Sequence, residues 1–149
     1  MKPISENKKG RFDYQIHEDW EAGLALQGDE IKAIRAKKVV LTGSYIKPFI
    51  ANGQAELWWV GGKIMSIGGD PTRTRKLLMH RQEINRIIGK LASGNFTVLP
   101  LELYLKHGRA KLKIALGTRK SKKDNRETIK KRDIEKNLRE EIRQKKISL

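Results

Sequence analysis

The sequence predicts a mainly β fold, a small antiparallel barrel with helices packed against its ends and a basic C-terminal tail. Three observations lead there. Runs with period-two alternation flank two tight-turn signals, Asn52-Gly53 and His107-Gly108. Two stretches carry apolar residues at helical spacing. Every Trp, Tyr and Phe lies before Gly117, whereas residues 117–149 hold 13 basic and 6 acidic residues and no aromatic. A segment of that composition cannot bury enough apolar surface to offset its ordering entropy. The 149 residues therefore divide into a β-barrel domain, 1–116, and a tail, 117–149.

Strands are expected from Phe12 to His17 and from Trp20 to Leu26. Asp29 can cap a short helix running through Lys38, with Ile31 and Ile34 inward. Ser44 to Ile50 and Ala55 to Val60 read as a hairpin about Asn52-Gly53, because both turn positions need positive φ. Trp58 and Trp59 are adjacent in a strand and so point to opposite faces; core packing is the expectation for both. Ile84, Ile87, Ile88 and Leu91 follow i, i+3, i+4, i+7 before Ser93-Gly94 ends that helix. Its start has two competing signals, Asp70-Pro71 and His80 with Glu83 three residues on. Thr97 to Leu105 and Arg109 to Leu116 form the second hairpin, with Leu112, Ile114 and Leu116 inward and Lys111 and Lys113 outward. In the tail, Ile129, Ile134, Leu138 and Ile142 draw a thin apolar stripe on a charged helix that is marginal alone.

The chain carries 33 Lys and Arg against 17 Asp and Glu, a net charge of +16, which favours a polyanion, most commonly nucleic acid, as partner. The absence of Cys excludes disulfides, thiolate zinc sites, Cys nucleophiles and iron–sulfur clusters. No apolar run approaches the roughly 18 residues of a membrane span, and Met1-Lys2-Pro3-Ile4-Ser5-Glu6 lacks a signal-peptide core, so a cytoplasmic protein with no membrane partner is expected. Gly89-Lys90 is followed by Leu91 and Gly62-Lys63 by Ile64, so neither completes a phosphate-binding G-x-x-x-x-G-K-[ST] loop, and G-x-G-x-x-G does not occur. Three scattered His residues supply neither a nucleophile–base pair nor a metal set, and no catalytic residue, metal or cofactor is expected. His80-x-x-Glu83 can be read as a ligand pair on one helix turn, but a capping pair is the plainer reading. His107 falls in a turn and reads as a surface residue.

Basic stretches carry the function. Asn7, Lys8, Lys9 and Arg11 form an arm, Arg73, Arg75 and Lys76 a cluster beside Asp70-Pro71, and Lys111 and Lys113 a ladder on a strand face. On a chain this basic they read together as phosphate contacts, which position a nucleic acid without reading its sequence. The few aromatics argue against a single-strand stacking platform, and a structured RNA read by shape fits better. Glu21, in a strand between Trp20 and Ala22-Gly23, is either a surface charge or a carboxylate that bonds a base edge or orients a basic neighbour.

Several blocks in order resemble the SmpB family of SsrA-binding proteins. They are residues 7–14 (Asn-Lys-Lys-Gly-Arg-Phe-Asp-Tyr), 21–36 (from Glu21-Ala22-Gly23 to Ala36), Gly43-Ser44-Tyr45, 70–78 (from Asp70-Pro71 to Leu78), 83–90, 97–101 and 124–130. The resemblance covers nearly the whole chain. It implies an OB-like barrel with two or three helices, an RNA-binding adaptor without catalysis of its own. Such an adaptor binds the tRNA-like domain of transfer-messenger RNA (tmRNA, SsrA RNA) and delivers it to stalled 70S ribosomes for trans-translation. Implied partners are tmRNA, the stalled ribosome with its small subunit and, through tmRNA, elongation factor Tu and alanyl-tRNA synthetase. Family RNA-contact positions fall on Asn7, Glu21, Leu78 and Lys111 with the basic residues near them. The tail, expected to probe the empty mRNA channel as a helix, would use Lys120, Lys122, Lys123, Asp124, Asn125 and Arg126. The chain departs from the family's pattern at Lys123, Asn125, Phe12 and Arg119-Lys120-Ser121, and in the short connector from Trp58 to Asp70.

Two rival readings stand beside this one. A ribosomal or assembly protein that holds rRNA permanently would also combine a small barrel with a basic tail. A metal-dependent RNA-processing enzyme would need Asp13, Glu21 and Glu30 to converge, which their expected positions do not suggest.

Overall fold

The computed structural model describes residues 3–120. In chain order it comprises β1 (Ser5–Glu6), α1 (Lys8–Asp13), β2 (Tyr14–Leu24), α2 (Gly28–Arg35), β3 (Val39–Val40), β4 (Tyr45–Ala51), β5 (Gln54–Val60), β6 (Lys63–Ile64), β7 (Arg75–Leu78), α3 (Arg81–Ala92), β8 (Thr97–Lys106) and β9 (Arg109–Arg119). Seven strands make one sheet in the order β1-β8-β4-β5-β7-β2-β9, with β8 also pairing β9, and β3 pairs β6 separately. The pairings with a defined register are antiparallel.

Both expected hairpins form. Asn52 and Gly53 have φ of 52° and 77°, and His107 and Gly108 have 52° and 76°, the positive pairs that a two-residue turn needs to match strand twist. Register follows from the turns: Ala51 faces Gln54 and Lys106 faces Arg109. Inward residues from all layers meet in one core, including Ile34, Leu57, Trp59, Ile64, Ile87, Leu103, Leu112 and Ile114, each fully buried. A smaller cluster of Leu99, Leu101 and Ala115, with Tyr14 and Ile16 against it, fills a second pocket of the sheet.

Elsewhere the expected elements shift. The two strands expected between Phe12 and Leu26 are one strand, β2, and Phe12 belongs to α1. Asn7 caps that unexpected helix, its Oδ1 accepting from the Gly10 amide at 2.9 Å, so the basic arm is a helical turn. Helix α2 starts at Gly28, with Gln27 rather than Asp29 in the capping position, and stops at Arg35; Lys37, at φ 61°, turns the chain. The helix bearing Ile84 and Ile87 starts at Arg81, with His80 in the capping position, its amide donating to Glu83 Oε1 at 3.2 Å. Asp70 instead holds a turn, accepting from the Thr72 amide and hydroxyl, both at 3.0 Å. Strand β9 continues through Gly117 to Arg119, so the sheet takes in the first residues assigned to the tail. Residues 121–149, with the expected apolar stripe, lie outside the described residues. Among the described residues no helix is long and apolar enough to cross a membrane.

Candidate nucleic-acid interface

Pleating decides which side chains reach the outer face of the sheet. In β2, Ala22 and Leu24 go inward, which leaves Asp19, Glu21 and Gly23 outward. Gly23 faces Leu78 of β7. A Cβ on Gly23 would meet Leu78 Cβ at 3.2 Å, so the missing side chain seats Leu78, which is 53% exposed although it lies in a strand. On β9, Leu112 and Ile114 are inward and Lys111 and Lys113 outward, opposite Tyr104 and Glu102 of β8. An open groove of about 620 Å³ results, with Glu21, Lys76, Leu78, His80, Arg81 and Lys111 among the residues on its walls.

Glu21 is the organised carboxylate of this surface. The Tyr104 hydroxyl donates to its Oε2, and Lys106 Nζ lies 3.6 Å from its Oε1. The Tyr104 bond holds the Glu21 carboxyl below its ordinary value against a small burial effect, with help from Lys106 and Lys111. Burial, and after it the bond to Glu21, pushes the Tyr104 phenol up. Glu21 is thus an anion set among Lys106, Lys111 and a hydroxyl. Its free lone pairs can accept from a base amino group while the lysines meet phosphates. Nothing in the chain's periodicity signalled Tyr104 and Lys106 as its partners, because they arrive from a strand 83 and 85 positions on.

Two residues expected to touch RNA have no surface to offer it. Arg75 is fully buried: its Nε donates to Glu30 Oε2 at 2.6 Å, its Nη1 to Gly62 O and its Nη2 to Pro71 O. Its guanidinium also lies 5.4 Å from the Trp59 ring centroid. Since β7 alternates, Arg75 must point opposite to Lys76, and the core side holds its partner, Glu30 of α2. Asn7 is 3% exposed, and its amide spends both ends within the fold, accepting from Gly10 and donating to Pro100 O at 2.8 Å. Arg73 also bonds Glu30, with its side chain about one-third exposed. Burial pushes the Glu30 carboxyl up, but the Gln27 amide and the two guanidinium groups more than offset it and hold it low. With Glu30 engaged in this way, the Asp13, Glu21, Glu30 metal set is short of a member.

The remaining basic residues stand at the surface. Lys8 and Lys9 are exposed on α1, and Arg11 Nη2 reaches Glu102 Oε2 at 3.4 Å. Lys113 Nζ lies 3.9 Å from Asp19 Oδ2. Lys76, Lys111 and Lys113 are part-buried along their stems, as long cations lying on a sheet are. Lys120 is the last described residue; Lys122, Lys123, Asp124, Asn125 and Arg126 lie outside the described residues.

Residues 4–144 match the family model described as SmpB protein. The SsrA-binding protein of Bacillus pumilus is 44% identical over 142 residues, covering 92% of this chain and 89% of that protein. That of Roseiflexus castenholzii is 43% identical over 142 residues, covering 91% and 87%. A solved chain described as "tmRNA-SmpB: a journey to the center of the bacterial ribosome" superposes with a TM-score of 0.66 at 36% identity, covering 86% of this chain and 95% of that one.

Proposed function

The chain belongs to the SmpB family, and from that premise we propose that it is the RNA-binding adaptor of trans-translation. It binds the tRNA-like domain of tmRNA and delivers it to stalled ribosomes, with no chemistry of its own. The observation that carries this reading is the groove in which Glu21, Leu78 and Lys111 meet from three strands far apart in sequence. Glu21 with Tyr104 fixes the register of the RNA, and Lys8, Lys9, Arg11, Lys76, Lys111 and Lys113 meet its phosphates. The strand pairings return on themselves, from β8 through β4, β5, β7, β2 and β9 to β8. That cycle supports a closed OB-like barrel, whose stiffness would hold these side chains in place. The tail beyond Lys120 is the ribosome probe, using Lys122, Lys123, Asp124, Asn125 and Arg126. Contacts with elongation factor Tu and alanyl-tRNA synthetase would run through tmRNA.

The test is a titration of the protein against the tRNA-like domain at near-physiological salt, with an ordinary tRNA as competitor. Tight binding that the ordinary tRNA does not displace is expected, and Glu21→Arg should weaken it while the thermal midpoint stays put. Equal, salt-sensitive binding to both RNAs would mean that charge alone is responsible and would favour a ribosomal-protein role.

A further inference from the structure

The outer face of β4 and β5, on the other side of β7 from Glu21, carries a second feature. Lys47 faces Trp58 and Trp58 faces Lys76, so one indole lies between two lysines across three strands. Phe49, on the same face of β4, packs edge-on to Trp58 at 6.4 Å between centroids, and Lys47 Nζ stands 5.3 Å from the Phe49 ring. Tyr45, two residues from Lys47, completes the row; Tyr45 and Phe49 are each 42% exposed. With Ile46 buried, the pleat puts Tyr45, Lys47 and Phe49 together on the outer face of β4, and a row of part-exposed aromatics there is unusual for a surface that nothing contacts.

The small number of aromatics in the sequence speaks against a single-strand stacking platform, but the fold gathers three of them on one face. We propose that Tyr45, Phe49 and Trp58, with Lys47 and Lys76, form a stacking platform for unpaired RNA bases. Charge selects RNA over an apolar protein surface. Among the described residues neither Lys47 nor Lys76 takes part in an ion pair, and the nearby acid, Glu56, is held by Arg81. The face therefore offers π surfaces interleaved with uncompensated cations, which is what a flexible strand of bases and phosphates needs. The buried Trp58 indole N–H has no acceptor among the described residues, so the ring has an unspent donor on this face. Lys76 also lines the Glu21 groove. The platform would thus take up single-stranded nucleotides that run on from an RNA held there. This rests on the chain being an RNA binder, but not on its choice of RNA.

The experiment compares binding of the full chain to an oligouridylate of about ten nucleotides and to an abasic oligomer of equal length and charge. Stacking requires the oligouridylate to bind at least about tenfold more tightly, since one stacked base is worth that much. Phe49→Leu and Trp58→Leu should each bring that ratio close to unity, with salt dependence unchanged. Phe49→Leu alters an exposed ring, so it keeps the test open if Trp58→Leu fails to fold. A wild-type ratio near one, or a ratio indifferent to Phe49→Leu, overturns the platform and leaves the face to a protein partner. Glu21→Arg should leave the ratio intact. A loss of tRNA-like-domain binding with the ratio preserved would count against the Glu21 groove and not against the platform.

Discussion

Glu30 is 2% exposed and holds two guanidinium groups, one of them on the fully buried Arg75. Removing one partner of a buried pair leaves the other charge uncompensated, at a cost of about 3–5 kcal/mol. Glu30→Gln should therefore lower stability by about 3 kcal/mol in denaturant unfolding near neutral pH. The pH dependence has a definite sign. The Glu30 carboxyl is held below its ordinary value of 4.5, so its contribution is present above that pH and is lost as acid brings the pH down through the folded-state value. The wild type should lose stability below about pH 4.5 more steeply than Glu30→Gln, and parallel acid limbs would show that the pair is not coupled. Glu21 is different, because it is exposed and its depression comes first from Tyr104. Tyr104→Phe should raise the Glu21 value, read from its carboxyl carbon by NMR titration, with little change in stability. Sequence alone could name Glu21 but not Tyr104, and it grouped Arg75 with Lys76 because composition records charge and not the side of a strand.

At the scale of elements, legibility followed local determinacy. The two hairpins were readable because Asn52-Gly53 and His107-Gly108 impose their geometry without help from distant residues. Helix α1 was not, because Gly10 inside it breaks the propensity, and only the Asn7 cap and packing against Leu99 explain it: a Cβ on Gly10 would lie 2.8 Å from Leu99 Cδ1. The tryptophan pair was half right, with Trp59 fully buried and Trp58 outward and half-buried, edge-on to Phe49. Trp59 also explains the short β5–β6 connector. Its Nε1 donates to Ser44 Oγ at 2.9 Å, and its ring lies where a Cβ on Gly62 would be, 1.9 Å from Cζ2. Gly62 O in turn accepts from Arg75, so the connector is pressed between indole and guanidinium. Gly62→Ala must displace one of them and should cost roughly 1–3 kcal/mol, seen as a lower denaturant midpoint with an unchanged slope.

For the whole molecule, salt dependence can test the proposed division of labour between domain and tail. The net charge of +16 guarantees some affinity for any RNA, so affinity alone cannot distinguish a site from a coating of cations. Salt dependence can, because each phosphate that the protein no longer neutralises should reduce the log–log slope by roughly 0.7 to 0.9. Lys111→Gln should show that decrement with the tRNA-like domain, and Lys63→Gln, on β6 away from the groove, should not. Truncation asks the same question of the tail. Since β9 runs to Arg119 and Thr118 Oγ1 bonds His17 Nε2 at 2.8 Å, a cut at Gly117 would damage the sheet itself. A chain ending at Lys120 keeps those bonds and gives up 11 basic and 6 acidic residues. If the tail is a ribosome probe, this shortened chain should bind the tRNA-like domain with nearly the same slope yet fail to support tagging on stalled ribosomes. A fall of several units in slope would instead make the tail an RNA arm, because cations that do not touch the RNA displace none of its condensed counterions.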